Sequence, residues 1–197
     1  MTKLTLQQVS DLLSSAGKIV IPKEELFDDI TKMAKVICPC PRRNARQRTY
    51  KQVFNDCSRI AIEYALAKII NGERNPNEWD KFNPESFRWD VRFEDTYFEV
   101  KRHALGTYWF SYAEESLNTF KKYAHTLDYM VSGYMETHDS AYVVEFALVA
   151  NAKTFFKFFR PSQFANQWPY YDHKTAMRNN QCDIINMREC TYKGNNQ

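Results

Sequence analysis

The chain has 197 residues, 44% hydrophobic and 26% charged, with 5 glycines and 7 prolines. That composition suits one globular domain with small appendages and excludes collagen-like, low-complexity and disordered classes. The net charge of +3 hides an asymmetry: Arg42, Arg43, Arg46, Arg48 and Lys51 form a run without an acid, 52–149 is net acidic, and 150–197 is basic again, a distribution that fits a polyanion grip around a cation-binding centre and equally a soluble domain with one basic loop.

No apolar run approaches the roughly 18 residues that a membrane span needs. The start (Lys3, Thr5, Gln7, Gln8) turns polar at once, unlike a secretory signal. The expectation is a cytoplasmic protein with no membrane partner. Thr5 and Gln8 carry the signature of a capping box. Leu6, Val9, Leu12 and Leu13 follow at helical spacing, and Gly17 is a natural stop. An extended piece, Ile19 to Ile21, ends at Pro22. A second helix is predicted over 23–37, with the stripe Leu26, Phe27, Ile30, Met33, Ala34 and Ile37. These two helices read either as a hairpin packed on the main core or as a helix-turn-helix reader.

Residues 38–48 form a proline-punctuated basic loop. Thr49 and Gln52 are a second capping box, opening one long helix to Ile70. That helix is apolar nearly all round, hence buried on several sides, and Asn71-Gly72 ends it. Residues 73–86 are polar and contain Pro76 and Pro84, as a loop does. Residues 87–102 alternate with period two on both sides of a polar tip and predict a hairpin. A helix over 112–125, strands over 128–135 and 141–149, and a short helix over 152–159 follow. The segments expected are a helical extension with a basic loop (1–48), a core (49–160) and a basic C-terminal extension (161–197). The core order, helix, strand, strand, helix, strand, strand, predicts a layered α/β domain with a mixed sheet.

Five cysteines in such a chain read as reduced thiols. A zinc site from Cys38, Cys40, Cys182 and Cys190 is conceivable, but the spacings match no common ligand pattern.

The hairpin carries the chemistry. A two-residue turn at Glu94-Asp95 places Phe93 opposite Thr96, Val91 opposite Phe98 and Asp90 opposite Glu99. One face then holds Trp89, Val91, Phe93, Phe98 and Val100. The other holds Arg88, Asp90, Arg92, Tyr97, Glu99 and Lys101. Two opposed carboxylates repel each other, and a hard divalent cation between them removes the conflict. On this reading Asp90 and Glu99 hold a metal that contacts a scissile phosphate, and Lys101 orients the attacking water or offsets developing charge. The competing reading is a solvated ladder in which Arg88 and Arg92 pair with the acids. A second acid-x-Lys triplet, Asp172-His173-Lys174, has no alternating strand and reads as a chance match.

Asp90 followed on the next strand by Glu99-Val100-Lys101 resembles the motif of the PD-(D/E)xK nuclease superfamily. The resemblance covers the motif and the element order over about residues 50–150, with Trp89 where the family's proline stands. It implies a restriction-endonuclease-like mixed β-sheet flanked by helices, here with an N-terminal helical extension. It further implies Mg²⁺ (Mn²⁺ as substitute) bound by Asp90, Glu99 and the Val100 carbonyl, with Lys101 assisting the attacking water. Many members add a Glu from the preceding helix. Glu63 fits that role, and equally fits an i, i+4 pair with Arg59. The expected activity is that of a stand-alone DNA endonuclease or nickase, with a homodimer left open. A non-catalytic nucleic-acid-binding protein and an RNA-cleaving relative are the alternatives. Arg42, Arg43, Arg46, Arg48 and Lys51 would grip phosphates. His103, on the Glu99 and Lys101 face, would touch phosphate or assist proton transfer.

Overall fold

A computed structural model describes residues 3–37, 50–76, 88–103, 114–161 and 169–186. Helix α1 (Leu6–Ala16) opens with the expected box: the Thr5 hydroxyl accepts from the Gln8 backbone N–H, and the Gln8 side chain accepts from the Thr5 backbone N–H. It closes at Gly17, whose φ of 58° lies in the left-handed region that glycine enters without a steric cost. The piece before Pro22 is a full strand, β1 (Lys18–Pro22), and α2 (Lys23–Ile37) follows without a gap. A strand between α1 and α2 separates the two helices, so they are not a helix-turn-helix reader.

The long helix expected from Thr49 is two helices, α3 (Tyr50–Cys57) and α4 (Ile60–Ile70). At the joint the Ala61 N–H bonds the Ser58 carbonyl at 3.0 Å and the Ile62 N–H bonds the Arg59 carbonyl at 2.9 Å. These i to i−3 bonds tighten the chain and re-aim it. The two pieces serve different partners, for α3 packs on α2 whereas α4 lies against the sheet. Helix α4 ends as expected, with Asn71 left-handed and both Asn71 and Gly72 N–H groups bonding the Ala67 carbonyl. A Cβ at Gly72 would stand 2.5 Å from the Arg92 carbonyl, so glycine is required where α4 turns into β2 (Glu73–Arg74).

The remaining strands are β3 (Val91–Phe93), β4 (Thr96–Arg102), β5 (Tyr129–Thr137), β6 (Ala141–Asn151), the two-residue β7 (Phe159–Arg160) and β8 (Tyr170–Tyr171), and β9 (Cys182–Ile184). The main sheet runs β1-β6-β5-β4-β3-β2, and β9 also pairs with β6. Among the described strands of this sheet only β4 and β5 are parallel; the other pairs are antiparallel. Helix α5 (Glu114–Tyr123) lies between these two strands in sequence, as a parallel crossover requires. The helix expected over 152–159 is a 3-10 turn at Phe155–Phe158, and α6 (His173–Arg178) was not foreseen. The fold is therefore mixed α/β, with a mixed sheet flanked by helices.

Alternation assigns the two faces. Phe98 and Val100 of β4 and Val131 and Met135 of β5 pack with α1, α2 and α4. Tyr97, Met130 and Tyr134 pack on the other side with α5 and α6. In β6 the parity flips: Tyr142, Val144 and Phe146 join the first side, then Val149 does. A bulge causes the flip. Ser132 pairs Leu148 while Gly133 pairs Phe146, which leaves Ala147 as the extra residue.

Candidate active site

The hairpin has the expected register across Glu94-Asp95, with Val91 opposite Phe98, Arg92 opposite Tyr97 and Phe93 opposite Thr96. The ladder stops there. The chain bends at Asp90, whose N–H donates to the Phe98 carbonyl at 2.9 Å. Its carboxylate reaches past the end of the ladder and accepts the Val100 N–H at 2.6 Å. Asp90 and Glu99 are thus not opposed ladder partners, as the register argument had them. Asp90 instead occupies the edge of β4 that β3 leaves open, since a short acceptor side chain can replace a backbone carbonyl. The bend also reverses the alternation upstream. Trp89, expected on the core face beside Val91, packs edge-on against Tyr97 on the other side, with ring centroids 6.1 Å apart.

This geometry bears on the Val100 carbonyl. The N–H and C=O of one strand residue point to the same edge. The Val100 carbonyl therefore lies on the edge that carries the Asp90 carboxylate. Glu99 and Lys101, two apart on β4, share a face, and the Lys101 ammonium donates to Glu99 Oε1. Glu99 is buried, with 9% of its surface exposed. Burial pushes the Lys101 ammonium below the ordinary lysine range, the Asp90 carboxylate opposes this, Arg59 reinforces it and Glu63 again opposes it. Asp90, Arg59 and Glu63 thus all stand within electrostatic reach of Lys101. Glu63 is buried in the first turn of α4, where the helix dipole favours a carboxylate. The break at Ser58-Arg59 is what gives α4 a positive end at this point.

The structure brings Asp90, Glu99, Val100 and Lys101 to one end of β4, and Glu63 of α4 acts on Lys101 through its charge. Arg59 acts on Lys101 as well, through its charge. Nothing in its spacing signals this, because the signal is the helix break. His103 is placed differently. It is buried, 3% exposed, with its ring 5.0 Å from that of Tyr134, edge-on. Lys51 lies in the first turn of α3, while Arg42, Arg43, Arg46 and Arg48 lie outside the described residues. Of the cysteines considered for zinc, Cys182 is buried, its thiol facing the His173 carbonyl at 3.5 Å, and burial pushes that thiol up to about 12. Cys38, Cys40 and Cys190 lie outside the described residues.

Among the described residues no three His, Cys, Asp or Glu side chains form a metal-holding group. The donor set at β4 is a pair of carboxylates with a backbone carbonyl. That set fits Mg²⁺, which binds one or two carboxylates and completes its shell with water and substrate phosphate oxygens. Among the described residues no helix is long and apolar enough to cross a membrane. No family model matches the chain, and neither a curated protein nor a solved structure matches it.

Proposed function

We propose that this chain is a Mg²⁺-dependent nuclease that hydrolyses DNA phosphodiester bonds, on a restriction-endonuclease-like sheet similar to that of the PD-(D/E)xK superfamily. The observation that carries the reading is the bond from the Val100 N–H to the Asp90 carboxylate. It pins the first acid beside the strand that bears Glu99 and Lys101, so two acids and an ammonium share one strand end. The Asp90 and Glu99 carboxylates, with the Val100 carbonyl, would hold Mg²⁺. Bound there, the ion supplies Lewis acidity and a water of lowered pKa.

The side chains do the rest. Lys101, a compact point charge, orients the attacking water and offsets charge on the pentavalent transition state. Glu63 favours the ammonium form of Lys101 by its negative charge. Arg59, exposed at the start of α4, is suited to a phosphate of the bound strand, as is the basic run Arg42 to Lys51.

The test is cleavage of plasmid, single-stranded DNA and RNA in Mg²⁺ or EDTA. Wild type should cleave DNA in Mg²⁺ and not in EDTA. Asp90→Ala and Lys101→Ala should each lower the rate about a hundredfold or more. Cleavage that survives both substitutions removes the assignment. Cleavage of RNA alone makes the chain a ribonuclease with the same site. Binding without cleavage in either metal state makes it a nucleic-acid-binding protein.

A further inference from the structure

We infer that Ser132 is a positioning residue for Lys101: its hydroxyl accepts the Lys101 ammonium when Glu99 turns from that ammonium to a bound cation. The inference rests on the metal-site reading above and goes beyond it, since Ser132 belongs to no motif in the sequence.

Three observations meet at this side chain. First, β4 and β5 are parallel, and Lys101 is the register partner of Ser132. Register partners on adjacent strands project to the same face. The ring contact between His103 and Tyr134, two residues further along each strand, bears out that side-by-side placement. Second, Ser132 is fully buried, and among the described residues its hydroxyl oxygen has no hydrogen-bond partner. A buried hydroxyl without a partner is desolvated without compensation, so it calls for a use in another state of the protein. Third, Ser132 stands at the register shift opposite the β6 bulge whose extra residue is Ala147, and bulges are over-represented beside functional sites.

The ammonium supplies the need for a second state. In the resting protein Lys101 donates to Glu99. A carboxylate that ligates a dication loses much of its pull on a neighbouring ammonium, and a half-buried ammonium that loses its acceptor is costly. Ser132 is the adjacent hydroxyl on that face with acceptor capacity to give. It would hold Lys101 close to Glu99 and in the position from which the amine can act on water.

Calorimetric titration of the whole chain with Mg²⁺, without nucleic acid, tests this. Ser132→Ala should weaken Mg²⁺ binding about fivefold and leave the melting temperature unchanged or slightly raised, since no hydrogen bond is lost at rest. In a Lys101→Ala background Ser132→Ala should have no effect on Mg²⁺ affinity, because the residues act as a unit. Equal Mg²⁺ affinity in wild type and Ser132→Ala overturns the role of Ser132 and leaves the metal site standing. A weakening that persists in the Lys101→Ala background overturns it too, by showing that the hydroxyl does not act through Lys101. A wild-type chain that binds neither Mg²⁺ nor Mn²⁺ overturns the metal site itself.

Discussion

Asp90 does two separable things. Its charge faces the place proposed for a cation, and its oxygen closes the open edge of β4 at the Val100 N–H. An amide keeps the acceptor and drops the charge, whereas a methyl group drops both. Asp90→Asn should therefore keep stability within about 0.5 kcal/mol of wild type in urea unfolding. It should lose Mg²⁺ binding, and cleavage with it. Asp90→Ala should lose these too and also cost about 1–2 kcal/mol, because the Val100 N–H is left without its bond. If Asp90→Asn unfolds as easily as Asp90→Ala, the carboxylate holds the strand end by its charge and not by its acceptor oxygen.

At the scale of elements, the two acid-x-Lys triplets show what spacing can and cannot reveal. Glu99-Val100-Lys101 sits in an extended strand, so its charges share a face. Asp172-His173-Lys174 starts a helix: Asp172 is the N-cap of α6, and its side chain accepts the Thr175 N–H at 3.1 Å. Burial pulls the Asp172 carboxyl up, but the Thr175 backbone and side chain, with Arg160 and His173, outweigh it and hold the group below its ordinary range. A depressed carboxyl stabilises the fold above the ordinary Asp value of about 4, and that contribution is lost as pH falls through the folded value. Asp172→Ala should thus cost about 1 kcal/mol at pH 7. The gap between the two proteins should close on acidification, as measured by denaturant unfolding across pH 2–7. A gap independent of pH would mean that the cap works without its charge. Elements with strong local signals were legible, as with the Thr5 box, the Asn71-Gly72 stop and the period-two hairpin. Two features were not. The α3–α4 break arises because two tertiary partners pull one apolar helix in different directions. The bend at Asp90 depends on a side chain that takes over a backbone's role, and alternation counts only backbone.

For the molecule as a whole, the question raised by the sequence is whether residues 1–48 are an appendage. The described part of that segment is built into the core. Val9, Leu13, Ile21, Leu26 and Ile30 are buried in one cluster with α4 and the inner faces of β4 and β5. Strand β1 covers the first half of β6, and β9 covers part of its second half along the same edge. The first residues also clamp the site's own strand. The Leu4 N–H donates to the Thr96 hydroxyl at 3.0 Å, Tyr129 donates to the Leu4 carbonyl at 2.8 Å, and Lys3 pairs with Asp128 at 2.8 Å. Asp128 in turn accepts the Tyr97 N–H at 3.1 Å, so the N-terminus braces the start of β4 and β5 just upstream of Glu99. Deleting residues 1–22 removes three fully or nearly fully buried apolar side chains, each worth roughly 1.5–3 kcal/mol of burial. It also exposes a strand edge to other chains. The sum is comparable to the whole stability of a domain, about 5–15 kcal/mol. The truncated chain should therefore lack a cooperative thermal transition and associate through β6. A truncated chain that is monomeric and melts within a few degrees of the full one would show that the core over 49–160 stands alone and that α1 and β1 are an ornament on it.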